Sequence, residues 1–109
     1  MAISSVGSGT QTATVDTEHT LDTETTAGVY VLVVDTANLV AGDIVVLKLK
    51  TKCLSGGTSR LAFQAVYANL QAEPMKYSPP VPADIEVVAT LEQTDGTSRN
   101  FPWSLLKVG

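Results

Sequence analysis

The chain of 109 residues is poor in the side chains that carry chemistry, with one His and one Cys. A lone cysteine excludes an internal disulfide, which fits assembly in a reducing cytoplasm. With no second His or Cys at ligand spacing, His19 is weak evidence for a metal centre and is read as a surface imidazole among carboxylates. Serines are plentiful, yet none stands in G-x-S-x-G. Gly7-Ser8-Gly9 and Ser55-Gly56-Gly57 lack the strand-to-helix context of a nucleophile elbow or phosphate cradle. No catalytic, cofactor-binding or metal-ligating residue is assigned, and the expectation is a protein that is not an enzyme.

Charge is also scarce, at 17% of residues, with 7 basic against 11 acidic side chains for a net −4. The basic residues are scattered and only Lys48, Lys50 and Lys52 lie together. A nucleic-acid interface needs a basic patch with aromatic platforms, so none is expected. Long hydrophobic runs are missing: the stretch Gly28 to Val34 is far below the ~20 residues of a spanning helix. No basic segment followed by an apolar one opens the chain, so neither membrane residence nor a secretory signal is expected.

What is present is strand. Hydrophobic residues make up 44% of the chain, enough to bury a core, and the sparse charge suggests that part of the surface is covered by a neighbour. Residues 27–35, AGVYVLVVD, are β-branched and apolar on both faces, as in a central strand. Residues 35–43 read as one helical turn, with Asp35 or Thr36 as N-cap, Gly42 as its stop, and Leu39 and Val40 plugging the core. From Ile44 to Cys53 the pattern alternates, with Leu47, Leu49, Thr51 and Cys53 on one face and the three lysines on the other. Cys53 is thereby expected to be half-buried. A Gly-containing loop joins this run to Arg60–Gln71 in an antiparallel hairpin. Glu73 to Asp84 holds four of the five prolines and reads as a semi-rigid crossing between sheets. Ile85 to Glu92 is one-sided, and Asp95-Gly96 should turn it into a final hairpin with Arg99–Val108. There Pro102 requires an edge or a bulge, and Phe101, Trp103 and Leu105 share the core face.

These signals predict an all-β fold: an antiparallel β-sandwich or small barrel, Ig-like or jelly-roll-like, with a flexible N-terminal arm and one short helical turn. The arm is residues 1–26 and the body residues 27–109. The arm is rich in Thr and in acid; residues 10–15 alternate in a β-compatible way and read either as an edge strand or as an extended segment that orders on a partner, since segments of this composition add a strand to another sheet. Thr10, Thr12, Thr14, Asp16, Glu18 and His19 are therefore the candidate partner-binding residues, with Tyr77 as an aromatic contact in the Pro-rich crossing. Asp16, Glu18, Asp22 and Glu24 are read as a solvated acidic face. On this reading, deleting residues 1–20 leaves a folded body that no longer binds.

Three phrases, TTAGVYVLVVDTANLVAGD, LSGGTSRLAF and the ending FPWSLLKVG, resemble small proteins encoded among the head genes of tailed bacteriophages. The resemblance spans about Thr20 to the end. It implies a capsid decoration (cement) protein: small, β-rich, non-enzymatic and bound to the capsid surface of the virion after assembly in the host cytoplasm. It further implies the major capsid protein and copies of itself, as a homotrimer, for partners. A head-tail connector, tail or fibre-attachment role, and a carbohydrate- or peptide-binding β-module, are the alternatives.

Overall fold

The computed structural model describes residues 2–108 and is an all-β sandwich. Nine strands follow one another: β1 (Ile3–Thr12), β2 (Glu18–Glu24), β3 (Gly28–Asp35), β4 (Ile44–Thr51), β5 (Arg60–Ala68), β6 (Met75–Tyr77), β7 (Val81–Ala83), β8 (Val87–Asp95) and β9 (Asn100–Val108). One sheet runs β1-β9-β3, with β6 and β7 sharing the far side of β3; the other runs β2-β8-β4-β5. All pairs are antiparallel. If β6 and β7 count as one edge strand interrupted by prolines, this is the strand order of a jelly roll.

Period-two patterning explains the core. Tyr30, Leu32 and Val34 of β3 and Phe101 and Leu105 of β9 point inward from the first sheet. They meet Val45, Leu47 and Leu49 of β4 and Val87, Ala89 and Leu91 of β8. The valine, leucine and phenylalanine side chains among them each contribute about 1.5–3 kcal/mol on burial, so the layer is stable without a disulfide. Trp103 packs on the rim of this core, its indole Nε1 3.6 Å from where a Cβ on Gly9 would sit. The β4–β5 hairpin forms as the pattern predicts, and Lys76 caps its flank with its Nζ 4.9 Å from the centre of the Tyr67 ring.

Five expectations are corrected. Of the expected arm 1–26, residue 1 lies outside the described residues and residues 3–24 are not an arm outside the body. β1 pairs with β9 along its length, β2 pairs with β8, and Ala13 between them is fully buried. Polar Thr and Ser suffice here because both are edge strands with one side to solvent.

The helical turn over 35–43 is absent, and two tight turns replace it, with Leu39 N donating to Thr36 O and Asp43 N to Val40 O. Distant partners draw the local polar groups away from a helical ladder. Thr36 Oγ1 donates to Pro74 O at 2.6 Å, and Asn38 Nδ2 to Asn100 O at 2.7 Å. Leu39 plugs the core as expected, whereas Val40 stays exposed.

No hairpin joins β8 and β9, because the Asp95-Gly96 turn carries the chain from one sheet to the other. Pro102 lies just beyond the last β3–β9 pair, Val34 with Trp103, where β9 is locally an edge. Cys53 falls past the end of β4 and is exposed, since the strand stops at Thr51.

A candidate docking face

A two-layer sandwich has one inner face per sheet, so a strand that is apolar on both faces must present one of them outward. This is the position of β3. Its inner row fills the core, and Val29, Val31 and Val33 stand on the outer side. Register aligns them with Val108, Leu106 and Ser104 of β9, and Val33 with Tyr77 of β6. Beyond β9 the row continues into β1, where Ile3 pairs with Val108 and Thr10 with Pro102. Directly paired residues of an antiparallel sheet point to the same side. The outer face of this sheet therefore carries Ile3, Val29, Val31, Leu106, Met75 and Tyr77 among hydroxyls, and among the described residues Asp35 is its single charged side chain.

Exposure is greatest at the margins of this face, where Ile3 is 68%, Tyr77 61% and Met75 48% exposed; Val29, Val31 and Leu106 are half-buried and Val33 is 8% exposed. Val33, Asp35, Met75, Pro102 and Ser104 border a shallow groove of ≈ 260 Å³, below the usual size of a small-molecule pocket and open along the sheet. Such a surface suits a broad protein contact. Ser5 and Ser104 add a hydroxyl pair at 2.8 Å on the same face.

The opposite outer face is chemically different. Glu18 of β2 reaches across β8 toward β4, with its Oε2 3.1 Å from Lys50 Nζ and 3.9 Å from Lys48 Nζ. Lys52 lies 3.8 Å from Glu86. This face is a zwitterionic lattice, apart from a strip along β5 where Leu61 and Val66 are exposed.

The seven residues expected to bind a partner are thereby divided. Thr10, Thr12 and Tyr77 share the apolar outer face, at opposite edges of the sheet. Glu18 lies on the other side of the molecule in its lysine pair. Thr14 and Asp16 belong to the β1–β2 turn and His19 to the start of β2; His19 Nε2 accepts from Thr14 N at 3.0 Å and Asp16 N donates to Gln93 O. Asp16 takes a left-handed φ of 67° to make that turn. His19 is thus a turn clamp, its Nε2 lone pair spoken for.

The rest of the acidic segment lines the seam between β1 and β2. Asp22 sits beside Gly7, where bulges in the two strands face each other, and a Cβ on Gly7 would fall 2.2 Å from Asp22 Oδ2. Hydrogen bonding to Asp22, with partial burial and its charge, holds the Glu24 carboxyl above its usual range. Among the described residues no group of three His, Cys, Asp or Glu side chains is placed to hold a metal ion. The sequence reading missed the Val29-Val31-Val33 row by assigning both faces of β3 to burial; the signal was present in the double-sided pattern itself.

No family model matches the chain, and comparisons with curated proteins and with solved structures likewise give no match.

Proposed function

We propose that the protein is a non-enzymatic structural component of a tailed-phage virion, a decoration protein that lays its β1-β9-β3-β6 sheet on the capsid shell. The observation that carries this reading is the outer face of that sheet, where Asp35 is the single charged side chain among the described residues, set in rows of valine, leucine and hydroxyl side chains. Contiguous apolar surface of this kind marks protein contact. The jelly-roll order supports the reading as analogy, since viral coat proteins use it alongside lectins and cupins. The partner is the major capsid protein, and the contact residues are Ile3, Thr10, Val31, Met75, Tyr77 and Leu106. The arm-mediated contact expected from sequence gives way to a face-mediated one, because residues 3–12 are part of the sheet.

Quantitative mass spectrometry of purified virions tests the placement. A copy number near that of the major capsid protein, or a fixed large fraction of it, is expected. About a dozen copies, the number fitting a single symmetric ring, would move the chain to a connector or tail, and absence from the particle would end the virion reading. Binding of Ile3→Asp and Tyr77→Asp variants to capsids then tests the face. Both sites are exposed, so folding should survive while binding falls at least tenfold, each charge being buried unpaired on docking. Undiminished binding would sink the face as the contact.

A further inference from the structure

The two sheets have four edges, and two are strongly protected against further pairing. The β6/β7 edge is broken into two three-residue strands among Pro74, Pro79, Pro80 and Pro82. The β2 edge carries Glu18, Asp22 and Glu24 and a bulge; the β1 edge has a bulge but no charge or proline, and from Gly7 to Thr12 its side chains are small or polar and offer nothing apolar to a second strand. Prolines, charges and bulges are the devices that keep an edge from recruiting another strand. β5 has few of them. It is nine residues long, contains no proline, and bears a charge only at Arg60. A single irregularity at Ala62 leaves Phe63 to Ala68 in continuous register with β4.

The side chains beside this edge match its open backbone. On the outer face Val66 is 55% and Leu61 52% exposed, and Val66 pairs with Val46 of β4. Leu70 beyond the strand is 70% exposed. Charge is segregated in the same sense. Between Ile44 and Ala72 there is no Asp or Glu, whereas residues before Lys48 include no Lys or Arg. The hairpin lysines are occupied within the molecule by Glu18 and Glu86.

We infer that β5 is a homotypic joint: a second copy of this chain adds its own β5 antiparallel to this one, extending sheet β2-β8-β4-β5 to eight strands about a two-fold axis. A pairing centred on Ala65 sets Gln64 of each copy beside Val66 of the other, and Phe63 beside Tyr67. It moves Arg60 to the outer ends near Leu70, so no like charges oppose each other across the joint. It also joins the copies through their acid-free segment and leaves the acidic β1–β2 seams at the far ends. A second copy fits better than a foreign strand because the edge asks for an uncharged, regular strand, and β5 is itself one. Isologous two-fold contacts are the commonest form of self-assembly. The inference stands on this edge alone and does not depend on capsid binding.

Sedimentation velocity of the full-length protein between roughly 10 and 500 µM should show a monomer–dimer equilibrium, a range chosen because a strand-edge contact is small. Amide exchange of residues 60–68 should slow as concentration rises, with β1 and β2 unchanged. The pair Gln64→Lys and Val66→Lys sets lysines opposite each other across the axis and should weaken the dimer at least about tenfold. Thr23→Lys, exposed on β2, should leave it intact. A wild-type monomer throughout the range, a trimer, or a dimer indifferent to the β5 lysines would each overturn the inference. Should the double variant fail to fold, the concentration dependence of β5 exchange in the wild type decides alone.

Discussion

Arg99 donates its Nε–H to Asp43 Oδ2 at 2.8 Å, tying the turn before β4 to the crossing between β8 and β9. The carboxylate is almost wholly buried and also accepts from Val40 N at 3.1 Å and Thr97 N at 3.1 Å. Gln93, fully buried beside it, accepts from Arg99 N and donates to the carbonyls of Asp95 and Thr97. One mouth of the sandwich is therefore closed by a polar network in which each side chain has named partners.

Replacing Asp43 with Ala should cost about 2–4 kcal/mol, because two backbone N–H groups and a guanidinium lose a charged acceptor. Burial alone would raise the Asp43 pKa, but the hydrogen bond from Arg99, with those from Val40 and Thr97, outweighs it and holds the carboxyl below its ordinary value. Stability from this group is thus complete above the unfolded-state value near 3.8 and is lost as pH falls through the lower folded value. Urea unfolding of wild type and Asp43→Asn between pH 2 and 7 checks this: the wild-type curve should fall steeply at the acid end and the variant should be flatter there.

Gly96 and Gly42 make a matched pair. Both have left-handed φ, 89° and 91°, but a Cβ on Gly96 would lie 2.0 Å from Asp43 Oδ1 and 2.7 Å from Asp43 Cα, whereas one on Gly42 meets nothing within 4 Å. Gly42→Ala should cost about 1 kcal/mol, the backbone term alone. Gly96→Ala should cost about 3 kcal/mol or more, since it also displaces the buried carboxylate. Thermal melts of the two variants side by side give the comparison.

Deleting residues 1–20 should abolish the fold. The deletion removes all of β1, the first residues of β2 and buried Ala13, stripping an edge strand from one sheet and part of one from the other. Circular dichroism and amide exchange of the truncated protein should report loss of cooperative unfolding. A sharp melt near the wild-type midpoint would show instead that the segment is dispensable.

Where local periodicity and burial coincide, the sequence was a sound guide. The strands around Tyr30, Leu47, Ala89 and Leu105, the β4–β5 hairpin and the left-handed backbone at Gly42 follow from alternation and turn chemistry, which act over a few residues. The N-terminal segment was misread because its Thr and Ser suit an exposed arm and an edge strand equally. Only the register with β9 distinguishes the two. The 35–43 turn failed as a helix for a similar reason: Thr36 and Asn38 take partners at Pro74 and Asn100, which are adjacent only after folding.

The sequence by itself determined that this would be an all-β protein with an apolar core and no internal disulfide, because side-chain period and cysteine count are properties of the chain. The tertiary structure decided the jelly-roll order, the Asp43–Arg99 closure, and the division of the candidate residues between two faces. It also decided that the second apolar row of β3 looks outward. Pairing partners distant in sequence set each of these, and the period-two pattern of one strand says which residues share a face but not whether that face meets core or surroundings.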